Sequence, residues 1–273
     1  MMEDWLEIKR GDRPLIVTFP HTGTHVPDDI SPEFFSLSRA RKDTDWWVDQ
    51  LYAFAVDLGA TTIRTSISRS IIDVNRDPSG ASLYPGQTTT GLCPLTTFDG
   101  EPLYRDGHEP GEDEIARRRA AYHQPYHDAI QQQIDRLIAD HGQVVLYDAH
   151  SIRSKIPRLF DDLLPIFSIG TNHDQTCSLV LGDAVENICV RSGKPTVRNG
   201  RFRGGWTTRH YGQPDRNVHA IQMELACRGY LDEPLGDVGD DIWPVPFEVE
   251  RAAPFIETLR QILTACLEFA ENQ

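Results

Sequence analysis

The chain holds 273 residues, 39% of them hydrophobic and 25% charged, with 41 acidic against 27 basic side chains and a formal net charge of −14. That length suits one large domain or two modest ones that fold without a disulfide or a structural metal, and the acidic balance argues against nucleic acid as a partner, because phosphates need a basic face. No run approaches the roughly 18 apolar residues of a membrane helix; scattered cysteines without a Cys-x-x-Cys pair, and a start lacking a signal-peptide pattern, lead us to expect a reduced, cytoplasmic protein with no membrane partner.

The apolar run Leu15-Ile16-Val17-Thr18-Phe19 predicts a buried strand over 14–19, which runs into Pro20-His21-Thr22-Gly23-Thr24-His25. A helix over 45–58 follows, with Asp43 and Thr44 as start signals and Gly59 as its stop. Strands over 60–65 and 70–75 come next. Residues 77–111 are rich in Pro, Gly and Thr and too long for a plain connector, so they predict a functional loop or a cover over a site. Ile115, Ala121, Ile130, Ile134, Leu137 and Ile138 pattern a helix over 112–141, which Pro125 should kink or split.

The strand over 143–148 closes on Tyr147-Asp148-Ala149-His150. A strand over 165–169, a helix over 177–192 and a strand over 195–198 lead to an irregular stretch, 199–217, rich in Gly and Arg. A strand over 218–225 and a helix over 249–272 complete the chain. Strands alternating with helices predict a single α/β domain over 1–273, a three-layer arrangement with a mixed, mostly parallel sheet and helices on both faces.

Open α/β sheets bind ligands beyond the carboxyl ends of their strands. His21 and His150 both follow buried apolar strands, so they are candidates to share a metal, with His25 a substitute for His21. A third ligand should be a carboxylate. Asp45 and Asp43 are the candidates, although an acid at a helix start also serves as a cap. Along 218–225, side chains alternate, so Val218, Ala220, Gln222 and Glu224 share one face. A buried glutamate needs a cation or a proton; Glu224 is read either as a general base beside a metal or as an ion-pair partner of Arg228. His123 and His127 stand at i, i+4, but Pro125 between them disturbs that geometry for ligation. Arg69, Arg76, Arg153 and the cluster Arg201, Arg203, Arg209 and Arg216 offer planar forks for carboxylates.

Together, Pro20-His21-Thr22-Gly23, Asp43-Thr44-Asp45, Ser68-Arg69 to Asn75-Arg76-Asp77-Pro78 and Asp148-Ala149-His150-Ser151 resemble the N-formylglutamate amidohydrolase family. The likeness continues through Gly204-Gly205, Arg209-His210-Tyr211-Gly212 and Gln222-Met223-Glu224-Leu225, and it spans about residues 14–230. It implies a fold similar to zinc carboxypeptidases and cell-wall amidases, with His21, Asp45 and His150 holding a divalent metal, zinc first among the choices, and Glu224 as base. His210 or Arg153 is then expected at the developing oxyanion, and Arg69, Asn75, Arg76, Arg153 and Arg216 at the substrate carboxylates. The implied reaction is hydrolysis of N-formyl-L-glutamate to formate and L-glutamate in histidine degradation, by an enzyme that is a monomer or a homo-oligomer. The alternatives are a metal amidohydrolase for another N-acyl amino acid, or a non-catalytic anion-binding protein of the same fold.

Overall fold

The computed structural model describes residues 5–81, 89–236, 239 and 242–272; part of the 77–111 loop, residues 82–88, lies outside them. Among the described residues one seven-stranded sheet is built from β1 (Leu6–Lys9), β2 (Leu15–Phe19), β3 (Thr61–Thr65), β4 (Val144–Ile152), β5 (Phe167–Gly170), β6 (Thr196–Arg198) and β7 (Val218–Ala226). Their order is β1-β3-β2-β4-β7-β5-β6. The central pairs β3–β2, β2–β4 and β4–β7 are parallel, as is β5–β6, whereas β1 on β3 and β5 on β7 run antiparallel. The expected mixed, mostly parallel α/β sheet is present.

Helices α1 (Leu37–Arg41), α2 (Val48–Leu51), α3 (Glu112–Arg118), α4 (Gln124–His141), α5 (Leu179–Arg191), α6 (Trp206–Tyr211) and α7 (Val249–Glu271) divide between the two faces. Strand alternation decides which side chains meet which layer. Val145, Tyr147 and Ala149 of β4, with Ile221, Met223 and Leu225 of β7, pack with α5 and α7. Val144, Leu146 and Ala220 pack on the opposite face with Tyr126, Ile130, Ile134 and Leu137 of α4. Both faces are covered, so the central strands are fully buried along their length.

Two local expectations change and one is met. Residues 45–58 form only the four-residue α2 and a 3-10 turn, Ala53–Ala55. The preceding segment is committed elsewhere: Trp47 takes φ 67 and the Asp45 N–H donates to the His21 carbonyl, so no helix begins at Asp45. Residues 70–75 are turns and not a strand. The Asp73 carboxylate accepts the Asn75 N–H at 3.0 Å, and such local side-chain bonds compete with a ladder. The 112–141 helix is split by a π-turn, Arg119–His123, just before Pro125, where the proline supplies no N–H and crowds the preceding turn. Short edge strand β1 has no counterpart among the expected elements. No helix of the described residues is long and apolar enough to cross a membrane.

Candidate metal centre and active site

Strands β4 and β7 are parallel and in register, with Asp148 opposite Gln222 and His150 opposite Glu224. All four side chains therefore stand on one face at the carboxyl ends of two adjacent strands. Beyond the end of β2, His21 enters the same space, and the hydrogen bond from Asp45 N–H to the His21 carbonyl, 3.0 Å, brings in Asp45.

His21, Asp45 and His150 form a buried group able to hold a metal ion. His150 Nδ1 lies 3.1 Å from His21 Nδ1 and 3.1 Å from Asp45 Oδ2, and His21 Nδ1 lies 3.6 Å from Asp45 Oδ2. Three ligands about 2.0–2.1 Å from a tetrahedral ion stand about 3.3 Å apart, so the three atoms fit one ion. The other ring nitrogens are also engaged: His21 Nε2 lies 2.6 Å from Asp73 Oδ1 and His150 Nε2 2.9 Å from Asp148 Oδ2. A carboxylate can only accept here, so each Nε2 carries the hydrogen and each Nδ1 offers its lone pair inward.

Charge gives a second test of fit. Asp45, Asp73, Asp148 and Glu224 are all buried. Arg69 reaches Asp45 at 3.4 Å and Asp73 at 2.9 Å, and Arg76 reaches Asp73 at 3.5 Å. With neutral imidazoles, the ionised carboxylates outnumber the two guanidiniums, and uncompensated buried charge is costly; a divalent cation would offset the excess. Burial alone would raise the Asp45 carboxyl, but when the rings are protonated in place of holding an ion, the charge of His21 and the hydrogen bonds from both imidazoles outweigh it and hold Asp45 below its ordinary value. Glu224 differs. Burial pushes it up, against the pull of His150 and with Asp45 adding to the rise, to about 7, close to where a general base works best.

These residues open onto a pocket that Phe98, Ile152, Leu159 and Phe202 also line. Of the residues singled out in the sequence, His21, His150, Arg69, Asn75, Arg76, Arg201 and Glu224 line it. Glu224 accepts from Gln222 Nε2 at 3.0 Å and forms no ion pair with Arg228. Asp43 is not at the metal cluster; it accepts the Phe98 N–H at 2.7 Å.

Three expected residues lie elsewhere. Arg153 bonds Asp99 at 2.7 and 3.2 Å and Asp43 at 3.3 Å, and it lines a neighbouring cavity with Lys42 and Lys155. The chain has left β4 by this point, so adjacency to His150 in sequence does not carry into space. Arg216 sits in the turn before β7, at the amino end of that strand, bonded to Gln213. His210 lies at the exposed end of α6 with its ring stacked on Trp206 at 4.2 Å, and it does not line the pocket.

Other contributors escaped the sequence reading. Asp73 was masked by the expected strand over 70–75. Asp148 shares strand parity with His150, a signal that was present. Arg158 lines the pocket and makes only long bonds, 3.4 and 3.5 Å, to the Thr97 and Phe98 carbonyls. The pair His123 and His127 serves the backbone instead of a metal: His127 Nε2 meets the Val74 carbonyl at 2.7 Å and His123 Nε2 the Arg76 carbonyl at 3.0 Å. The two rings thus grip either side of Asn75.

A carboxylate and two imidazoles gathered at the strand ends of an α/β sheet, beside a buried glutamate, define the class of metal-dependent hydrolases. The family model of N-formylglutamate amidohydrolase matches residues 13–231, and the chain belongs to that family. The N-formylglutamate deformylases of Pseudomonas aeruginosa and Pseudomonas putida are each 40% identical over 273 residues, covering 100% of this chain and 99% of theirs. The crystal structure of an N-formylglutamate amidohydrolase from Ralstonia eutropha JMP134 shares the fold, with a TM-score of 0.75 over 98% of each chain at 21% identity.

Burial, then the facing His123, outweigh the bond to Val74 and hold the His127 imidazole well below its ordinary value. The unfolded imidazole protonates near 6.5, so the stability from burying it neutral is present above about pH 6.5 and is lost as pH falls through the depressed folded value. The melting temperature should therefore decline between pH 7 and pH 5, and the decline should be shallower in His127→Gln. Equal slopes in the two proteins would remove this origin for the acid sensitivity.

Proposed function

We propose that this chain hydrolyses N-formyl-L-glutamate to formate and L-glutamate, a step of histidine degradation, with zinc at His21, Asp45 and His150. The observation that carries the reading is the convergence of two Nδ1 atoms and one carboxylate oxygen within 3.1–3.6 Å of one another, beside a buried Glu224, in a member of this family. Full-length likeness to two Pseudomonas proteins named for this deformylation supports the same substrate. The ligand set beside a glutamate also supports kinship with zinc carboxypeptidases and cell-wall amidases, and the single sheet with its two covered faces supports one domain.

His21, Asp45 and His150 would hold the ion, which would supply Lewis acidity for the formyl oxygen and lower the pKa of nearby water toward neutrality. The chain does the rest. Asp73 and Asp148 fix the ring tautomers, so that both Nδ1 lone pairs face inward. The Glu224 carboxylate takes a proton from the attacking water and delivers it to the amine nitrogen as the C–N bond breaks. A dianionic substrate meets a protein of net charge −14, and the pocket reverses that field locally with Arg69, Arg76, Arg158 and Arg201. Arg69 is already spoken for by two carboxylates, so it serves the metal cluster first. Arg158, held only by two carbonyls, is the better candidate for a substrate carboxylate.

Purified protein should release formate from N-formylglutamate faster than it releases acetate from N-acetylglutamate. A chelator should abolish the activity, added zinc should restore it, and elemental analysis should find zinc. Activity that survives complete metal removal would overturn the reading.

Glu224→Gln should keep its metal and substrate affinity yet lose at least about a hundredfold in kcat; unchanged turnover removes Glu224 as base. Arg158→Gln should raise KM for N-formylglutamate about tenfold or more, as expected when a charge-assisted hydrogen bond is lost. An unaltered KM would show that the carboxylates are held elsewhere.

A further inference from the structure

The glycine before α6 and the first turn of α6 present two backbone N–H groups to two buried side-chain amides. Gly205 N–H donates to Gln222 Oε1 at 2.6 Å, and Thr207 N–H donates to Asn75 Oδ1 at 2.8 Å. A backbone N–H can only donate, so each bond fixes which end of the amide is oxygen. The NH2 ends must then point away from α6. Asn75 Nδ2 lies 3.2 Å from Asp148 Oδ2, the partner of His150, and Gln222 Nε2 lies 3.0 Å from Glu224 Oε2.

The Gln222 arrangement constrains the glutamate. A carboxyl oxygen that accepts from an N–H cannot at the same time present its own hydrogen along that line. Gln222 therefore keeps Glu224 Oε2 as an acceptor and leaves Oε1 as the oxygen available to carry a proton. Gln222 is itself 4% exposed and Glu224 6%, so little water competes for these bonds. The approach of the backbone is also close: a Cβ on Gly205 would fall 2.4 Å from Asn75 Nδ2, so only glycine permits this seating.

We infer that Gln222 is a positioning residue for the hydrolysis: its amide, oriented by Gly205 N–H, locks the Glu224 carboxyl so that Oε1 alone exchanges the proton. This rests on Glu224 being the base. In the step, a water O–H proton passes to Oε1 as the water oxygen bonds the formyl carbon. The same proton passes from Oε1 to nitrogen as the C–N bond breaks, and the formic acid proton then completes the ammonium of glutamate. Glu224 ends as it began.

The test is a double-mutant cycle between Gln222→Met and Glu224→Gln, with Gln222→Glu as a second variant that keeps an acceptor for Gly205 N–H but loses the amide donor. Metal content and KM report whether the site is intact. With Glu224 present, the Gln222 variants should lose about ten- to a hundredfold in kcat, the scale of a hydrogen bond to a charged group, with KM within about twofold of the parent. In the Glu224→Gln background the same substitutions should change kcat little, because the oriented base is already gone. Wild-type kcat in either folded Gln222 variant, or equal losses in both backgrounds, overturns the inference while leaving Glu224 as base. Full turnover by Glu224→Gln alone instead overturns the base assignment, and the inference falls with it.

Discussion

Buried negative charge is the constraint around which this site is arranged. Asp45, Asp73, Asp148 and Glu224 all lose water on folding, and carboxylates in such surroundings need cations, hydrogen bonds or protons. The chain provides each remedy at a different carboxylate. Asp73 has Arg69, Arg76 and the Asn75 N–H; Asp148 has the Thr18 hydroxyl at 2.6 Å, Asn75 and His150. Asp45 has the Ser151 N–H at 3.1 Å, Arg69 and the two imidazoles. Glu224 has Gln222 and no ion pair, and it is the one whose carboxyl is pushed up, to about 7. The unequal treatment supports the proposed division of roles, in which strongly supported acids would hold rings and ion and the weakly supported acid would move a proton.

Strand geometry places these groups at no extra cost in design. Parallel pairing in register sets Asp148 beside Gln222 and His150 beside Glu224, while the odd-numbered neighbours Tyr147, Ala149, Met223 and Leu225 pack into the core on the other face. A slip of one residue in either strand would bury the polar set among α5 and α7 and turn the apolar set toward the pocket. The hydrophobic face thus enforces the register on which the chemistry depends. This is why the site was so legible in the sequence at its centre. His21, His150 and Glu224 each end or cap an apolar run, and the period of two assigns Glu224 its face before any coordinates are known.

Legibility fails where the chain leaves regular structure. Arg153 and Arg216 flank central strands, yet Arg153 turns to Asp43 and Asp99 and Arg216 stays at the far end of β7. Arginine is long and its partners come from distant loops, so no period predicts where its fork ends. The turns over 70–75 were misread because Ile71, Ile72 and Val74 are buried like strand residues. Burial alone does not specify a ladder when Asp73 captures the local N–H. The histidine pair on α4 was misleading for a related reason. Spacing places His123 and His127 near each other on a helix, but their nitrogens are consumed by the Val74 and Arg76 carbonyls.

Those carbonyls explain what the irregular segments contribute. A turn such as 70–76 leaves buried backbone acceptors that a strand would have paired, and His123 and His127 satisfy two of them. The side chain between them, Asn75, is then aimed at Asp148, the partner of His150, from one side, while the N–H groups of Gly205 and Thr207 orient Gln222 and Asn75 from the other. The 70–76 turn and the amino end of α6 are thereby cross-linked through amides whose direction is fixed at both ends. Preorganisation of this kind is needed because a carboxylate free to rotate would expend part of the reaction's driving force on finding its orientation. The loops are irregular in backbone angle but tightly determined in hydrogen bonding, and that determination reaches Glu224 through a single glutamine.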